Sequence, residues 1–237
     1  MPDDALGTAM LDRVRGCLRA PCIYRDGDDA ADAHIVENYL VPPEEWPDAK
    51  WEFLDSLRTP MLDVGCGAGQ HALAVQERGD VVAFDVSPNA VRAARERGVG
   101  DAMVADMFSL PFDTDARFET VLANGTQTGL AGSLDGIAEL LDTLASLTTA
   151  TGDLVVDSYD PTRLSPGTCF GYRDDPRDGL ARRQFHVEYG DFRGPTLDFL
   201  LCSPERLESV AAAVGLDVCE VVFPNEESAY YRMRLRR

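Results

Sequence analysis

The chain has 237 residues, 45% of them hydrophobic, and its 41 Asp and Glu residues outnumber its 22 Lys and Arg residues to give a net charge of −19. This length and hydrophobic content suit one globular core and argue against wholesale disorder, and the apolar runs are too short to span a membrane. Because no basic patch with interleaved aromatic residues occurs and the N-terminus is no signal peptide, we expect a cytoplasmic protein that binds neither nucleic acid nor a membrane.

The first sixty residues are predicted to form a helical leader. Apolar residues at helical spacing predict an amphipathic helix over residues 3–18, which Pro21 ends. Residues 25–33 are acidic and are predicted to be a loop, whereas residues 44–57 are predicted to form a second helix. We expect this leader to cover the sheet or to help close a ligand site.

From residue 61 the pattern changes to alternating strands and helices. Short apolar runs predict strands at 61–64, 80–86, 102–105, 118–123 and 153–159. The intervening segments predict helices at 68–78, 88–97 and 133–147, of which Pro88 and Ser133 mark two starts. Apolar strands that alternate with helices predict a doubly wound α/β fold with a mainly parallel sheet and a ligand at the carboxyl ends of its strands.

The last third of the chain follows a different pattern. Residues 160–180 contain Pro and Gly without a clear period and are predicted to be a loop or lid. Later predicted elements are a hairpin of strands 181–189 and 196–202, a helix at 204–214 after Ser203, and an antiparallel pair at 216–223 and 228–236. We expect a single domain that comprises the leader (1–59), a core (60–159), a lid and hairpin (160–202) and a C-terminal helix and hairpin (203–237).

The stretch MLDVGCGAGQ at residues 61–70 is a glycine-rich turn that follows a strand. Its glycines at 65, 67 and 69 let the backbone bend sharply and approach a ligand closely. A dinucleotide-binding fingerprint would place glycine at position 70, where this chain has Gln70. The mismatch disfavours a nicotinamide-dependent oxidoreductase, which is kept as a minor alternative.

Three carboxylates accompany this turn, since Asp63 precedes it, Asp85 ends the next strand and Asp106 follows the third. Together with the segments LDVGCGAG, FDVSPNAV, ADMFSLPF and GDLVVDSYDP, they resemble the class I S-adenosylmethionine-dependent methyltransferases that act on small molecules, over residues 61–159. The resemblance implies a Rossmann-like, mainly parallel seven-stranded sheet with an antiparallel last strand. It also implies S-adenosyl-L-methionine as the cofactor, S-adenosyl-L-homocysteine as the product and a small-molecule methyl acceptor.

The resemblance assigns the cofactor contacts to the ends of the core strands. Asp85 is expected to accept hydrogen bonds from the ribose hydroxyls, and Asp106 from the adenine amino group, while Asn124 lies near the methionine portion. For each of the three acids, a structural role in a turn or helix cap is the alternative. The implied cofactor-binding residues are Asp63, Gly65, Cys66, Gly67, Asp85, Val86, Asp106, Met107 and Asn124.

No general base is evident from the sequence. A sulfonium methyl group is already activated, so alignment of the methyl group with its acceptor supplies much of the catalysis, and a base is needed only where the acceptor must lose a proton. The candidates are His34, Tyr159, Tyr172 and His186, and a solvated or core role is the alternative for each. A non-catalytic S-adenosylmethionine-binding or regulatory protein is therefore the main alternative function.

The distribution of charge along the chain is unusual. Lys50 is the only lysine, and acidic residues are spread along the chain. This pattern predicts a halophilic origin, because salt screens the self-repulsion of an acidic surface. The alternative is an enzyme whose acidic surface repels nucleic acid.

The six cysteines form no C-x-x-C pair and only three histidines are present, so we expect no metal site.

Overall fold

The computed structural model describes residues 4–112, 117–165 and 167–237. The chain divides into two compact units, Met1–Pro111 with Phe185–Thr196, and Phe112–Gln184 with Leu197–Arg237. In the part of the chain that is described, none of the helices is both long and apolar enough to cross a membrane.

The first unit begins with the leader and continues through the first three core strands. Its elements are α1 (Ala5–Val14), β1 (Cys22–Asp26), β2 (Asp29–Asp32), α2 (Asp48–Asp55), β3 (Met61–Val64), α3 (Gln70–Val75), β4 (Val81–Asp85), α4 (Pro88–Arg97) and β5 (Ala102–Val104). Short helical turns at Val36–Leu40 and Pro43–Glu45 lie between β2 and α2.

The second unit holds most of the remaining elements. These are β6 (Phe118–Ala123), α5 (Leu134–Ser146), β7 (Thr148–Tyr159), β8 (Tyr172–Asp174), the start of β9 (Leu180–Tyr189), β11 (Leu197–Cys202), α6 (Pro204–Ala213), β12 (Asp217–Val222) and β13 (Tyr230–Arg236). The end of β9 and the short strand β10 (Phe192–Arg193) belong to the first unit.

The strands named above form a seven-stranded and a six-stranded sheet. The larger sheet has the order β12-β13-β7-β6-β3-β4-β5. Within it, β3, β4 and β5 pair in parallel, as do β6 and β7, whereas β13 is antiparallel to both β7 and β12. This topology confirms the predicted Rossmann-like fold with an antiparallel last strand.

Local sequence signals explain the best-predicted core elements. All four residues of β3 are buried, as expected for a strand covered on both faces. Helix α4 begins after Ser87, whose Oγ accepts a hydrogen bond from the Ala90 amide, and it ends at Gly98 with φ 106°. The predicted bounds of α4 are confirmed because an N-cap serine and a left-handed glycine mark both ends.

The predicted loop at residues 25–33 is wrong. β1 and β2 form an antiparallel hairpin there, with Asp26 opposite Asp29. β1 also pairs with β9, where Tyr24 lies opposite Val187. The acidic composition of residues 25–33 suggested a loop. The pairing of β1 with β9 could not be predicted, because β9 lies far away in the sequence. The leader therefore contains a hairpin as well as its two predicted helices.

Other differences concern the bounds of elements. The predicted helix at 68–78 is shorter, since α3 covers Gln70–Val75. The first helix begins at Ala5, and the predicted start at Asp3 lies outside the described residues. In the predicted lid, β8 pairs antiparallel with β9, although residue 166 of that segment is also outside the described residues. The strands of the predicted hairpin at 181–202 are confirmed as β9 and β11, which pair with each other.

Candidate functional site

The glycine turn between β3 and α3 begins the candidate site. Gly65 and Gly67 have φ angles of 67° and 55°, a left-handed conformation that side chains with a Cβ rarely adopt. Gly69, with φ 75°, serves packing as well, because a Cβ there would lie 2.5 Å from Cγ2 of Val99. The turn thus combines a sharp backbone path at its first two glycines with close packing at the third.

The carboxylate of Asp85 is fixed at the end of β4 by two backbone amides. Gly67 N–H donates to its Oδ2 at 2.9 Å, and Ser87 N–H donates to its Oδ1 at 2.8 Å. Burial raises the pKa of Asp85, these two hydrogen bonds oppose the rise, and the charge of Asp4 adds to it. Each carboxylate oxygen can accept a second hydrogen bond, so the half-buried group retains acceptor capacity for a ligand.

Asp63 is a buried acid beneath the glycine turn, with only 1% of its surface exposed. The Ala72 amide donates a hydrogen bond to it, and burial raises its pKa to about 7. Its Oδ2 atom has no hydrogen-bond partner among the described residues, and neither has the buried Oε1 atom of Gln70. Buried acceptors without a donor cost free energy, so a ligand or water that donates a hydrogen bond would fit here.

Helix α1 is attached to the loop that follows β4. Oδ1 of Asp4 accepts hydrogen bonds from Gly7 N–H at 3.2 Å and from the Ser87 hydroxyl at 2.7 Å, and its Oδ2 accepts one from Asn89 N–H at 3.3 Å. Farther along the helix, Met10 lies against the glycine turn, since a Cβ on Gly67 would be 3.6 Å from its Cε. The leader therefore covers part of the candidate site within the first unit.

The other predicted residues of the first unit also lie at the ends of β3, β4 and β5. Val86 is 69% exposed, whereas Cys66 and Met107 are buried. Asp106 is exposed, and its Oδ1 accepts a hydrogen bond from Phe108 N–H at 2.9 Å. Phe108 itself is 56% exposed and was not predicted, because a single aromatic residue after a short strand gives no pattern in the sequence.

Asn124 lies in the second unit, on the loop that follows β6. The Tyr230 hydroxyl donates to its Oδ1 at 3.1 Å. The next two amides of the loop, Gly125 N–H and Thr126 N–H, donate to the fully buried carboxylate of Asp157 at 2.8 and 2.6 Å. Asp157 and Tyr230 were not predicted as site residues, although an acid within the apolar run DLVVDSY was a usable signal.

The four candidate general bases lie in different surroundings. His186 is buried in β9 with its Nε2 3.0 Å from Oε1 of Glu188, and Arg25 also forms an ion pair with Glu188. His34 is exposed, with Nδ1 3.9 Å from Asp32. The remaining two candidates, Tyr159 and Tyr172, are half-buried. Glu188 gives His186 the oriented carboxylate partner that the sequence did not reveal.

The described residues contain no cluster of three or more His, Cys, Asp and Glu side chains that could hold a metal ion. All six cysteines are free thiols. Burial raises the pKa of the Cys66 thiol well above its usual range, which keeps the group in its neutral, poorly nucleophilic form. Cys66 therefore serves the turn as a small buried residue.

Comparisons with known proteins agree with this geometry. Residues 61–152 match the model of a methyltransferase domain. A SAM-dependent methyltransferase from Bacteroides fragilis, crystallised with S-adenosyl-L-homocysteine, is similar to this chain with a TM-score of 0.80 and 25% identity, over 99% of this chain and 94% of that chain. No curated protein sequence matches the chain.

Two further solved structures share the fold at lower identity. The CcbJ methyltransferase from Streptomyces caelestis has a TM-score of 0.61 and 19% identity, over 85% of this chain and 95% of its own. The sugar N-methyltransferase KedS8 from Streptoalloteichus sp ATCC 53650 has a TM-score of 0.62 and 20% identity, over 90% and 96%.

Proposed function

We propose that this chain, which carries a methyltransferase domain of the class I S-adenosylmethionine-dependent superfamily, transfers a methyl group to a small-molecule acceptor. S-adenosylmethionine is the cofactor, in keeping with the similar protein that was crystallised with S-adenosyl-L-homocysteine. The main support from the site is the carboxylate of Asp85, which the amides of Gly67 and Ser87 fix at the end of β4. An oriented carboxylate at that strand end suits a ribose with two hydroxyl donors.

The first unit offers further groups that fit the cofactor. Asp106 is exposed at the end of β5 and would accept a hydrogen bond from the adenine amino group. The exposed side chains of Val86 and Phe108 are apolar surfaces suited to the ring. The unpartnered Oδ2 of Asp63 would accept a hydrogen bond from the amino-acid end of the cofactor or from a water there.

Catalysis in this proposal depends mainly on alignment. The bound cofactor supplies an activated methyl group on its sulfonium, so the protein needs to hold the acceptor in line with it. Where the acceptor must lose a proton, His186 is a candidate base with an oriented partner, since its Nε2 lies 3.0 Å from Oε1 of Glu188. A protonated amine or a hydroxyl acceptor would require such a base, and an already neutral amine would not.

Titration calorimetry with S-adenosylmethionine tests the cofactor site. Asp85→Ala should weaken binding at least tenfold, because each charge-assisted hydrogen bond contributes about 1.5–3 kcal/mol. Asp80→Ala, which removes an exposed acid just before β4, is the matched control and should bind normally. Equal affinity in the Asp85 variant and the wild type would refute the placement of the cofactor.

Turnover with a panel of amine and hydroxyl acceptors separates an enzyme from a non-catalytic binding protein. Release of S-adenosyl-L-homocysteine that depends on one acceptor class would support the proposal and name that class. Cofactor binding without turnover on any acceptor of the panel would favour the binding or regulatory alternative.

A further inference from the structure

One face of the β7–β13 pair carries a polar and aromatic cluster next to the loop 124–126. Asp157 lies opposite Arg232, and Tyr159 lies opposite Tyr230, in the antiparallel register of the two strands. Residues that are paired in this way point to the same face of a sheet. The rings of Tyr159 and Tyr230 meet edge to face, with centroids 5.6 Å apart.

The cluster holds a strained loop. Thr126 has a φ of 61°, and Gly125 before it has a φ of 102°. A left-handed conformation is unfavourable for threonine, and such strain persists only where the surroundings enforce it. The carboxylate of Asp157 does so by accepting the consecutive N–H groups of Gly125 and Thr126 on its two oxygens.

Tyr230 connects this carboxylate to Asn124. Its hydroxyl donates to Oδ1 of Asn124 and is also in hydrogen-bonding contact with Asp157. Because Oδ1 of Asn124 is engaged, its Nδ2 group is the part of the side chain left to donate to a ligand. Burial and the charge of Asp157 raise the pKa of Tyr230, so its hydroxyl stays protonated and keeps this role at neutral pH.

We infer that Asp157 and Tyr230 are positioning residues that hold Asn124 and its loop in the conformation that binds the amino-acid portion of S-adenosylmethionine. This inference rests on the proposed function and on the expectation from the family resemblance that Asn124 lies near that portion of the cofactor. Asp157 fixes the backbone of the loop, and Tyr230 fixes the orientation of the Asn124 side chain. Neither residue needs to touch the cofactor to affect its binding.

Two ligands that differ only in the amino-acid portion give the sharpest test. S-adenosyl-L-homocysteine contains it, whereas 5′-methylthioadenosine keeps the adenosine and the sulfur but lacks it. Calorimetry on Tyr230→Phe and Asp157→Asn should show binding of S-adenosyl-L-homocysteine weakened by about tenfold, the effect of one lost polar contact. Binding of 5′-methylthioadenosine should be unchanged, since the adenosine contacts are intact.

Tyr231→Phe is the matched structural control. Tyr231 is the next residue of β13 and is fully buried, and its hydroxyl donates to the carbonyl of Cys202 at 2.9 Å on the opposite face. Its loss should lower the unfolding temperature without changing the affinity ratio of the two ligands. Thermal unfolding of all variants shows whether each one folds.

The outcomes separate this inference from the proposed function. If the wild type binds neither ligand, both are refuted. If the wild type binds both ligands and Tyr230→Phe leaves their affinity ratio unchanged, the positioning role is refuted while the proposed function stands. A change of the same ratio in Tyr231→Phe would also refute it, because the effect would then be a general result of lost stability.

Discussion

Asp63 is a buried carboxyl group whose titration should couple the stability of the cofactor-free protein to pH. Burial raises its pKa from 3.8 to about 7 in the folded state, so the folded protein retains this proton where the unfolded chain has lost it. The contribution of Asp63 to the free energy of unfolding is therefore greatest below about pH 4, and it decreases as the pH rises to about 7. At about 1.4 kcal/mol for each pKa unit, the total effect is at most about 4 kcal/mol.

We expect Asp63→Asn to gain stability relative to the wild type as the pH is raised from 4 to 8. The amide keeps an acceptor for the Ala72 N–H but carries no charge at any pH, so the cost of burying an ionised group disappears. Urea unfolding of the cofactor-free protein across this range measures the difference. Asp101→Asn, at an exposed acid, should show no such trend. A stability difference between Asp63→Asn and wild type that does not vary with pH would contradict this prediction.

Single residues were predictable where one position has a strong local constraint. The glycines at 65 and 67 are left-handed in the structure, as their place in a tight turn required. Partners from distant parts of the chain were not predictable, because sequence spacing carries no information on them. The contact of Tyr230 with Asn124, for example, joins residues 106 positions apart.

At the scale of elements, α1 packs so closely against the loop after β4 that Gly7 has no room for a side chain. A Cβ on Gly7 would lie 1.9 Å from Oγ of Ser87 and 2.4 Å from Oδ1 of Asp4. Alanine in place of glycine normally stabilises a helix by about 0.5–1 kcal/mol. Here we expect Gly7→Ala to destabilise the protein by about 1–3 kcal/mol, as overpacking does. Because α1 covers part of the candidate site through Met10, we also expect this variant to release S-adenosyl-L-homocysteine faster.

A double-mutant cycle tests the cause of this effect. Ser87→Ala removes the oxygen that the new methyl group would contact. It should therefore lower the free energy of unfolding less in the Gly7→Ala background than in the wild type. Urea unfolding gives the stability of the four proteins, and stopped-flow fluorescence gives the release rates. Stabilisation by Gly7→Ala alone would show that α1 follows its helix propensity and is not held by this contact.

Elements with a strong internal period were predicted better than those that depend on a partner. α4 and β6 have the predicted bounds because their caps and apolar runs are local. The hairpin of β1 and β2 was missed because β1 pairs not only with β2 but also with β9, which lies far away in the sequence. The candidate site follows the same division: the glycine turn and the position of Asp85 at the end of β4 were predicted. The contacts of Asp4 and the pairing of His186 with Glu188 were not.

At the scale of the whole molecule, the net charge of −19 should make stability depend on salt. Ion pairs such as Arg78–Asp55 and Arg182–Asp198 offset only part of the repulsion, because acids outnumber bases by 41 to 22. Between about 0.1 M and 1 M KCl the Debye length falls from about 10 Å to about 3 Å, so the excess repulsion is screened. We expect the unfolding temperature to rise over this range, by about 2–4 °C for each kcal/mol gained.

A variant with fewer acids distinguishes screening from other effects of salt. Asp28, Asp191 and Glu227 are exposed, and replacing all three with lysine raises the net charge by two units at each position. Because less repulsion then opposes folding, this variant should start with a higher unfolding temperature at low salt and gain less from added KCl. Calorimetric melting of both proteins along one KCl series measures this difference. Equal salt responses would mean that the acidic surface does not limit stability, and the prediction of a halophilic origin would then lose its physical basis.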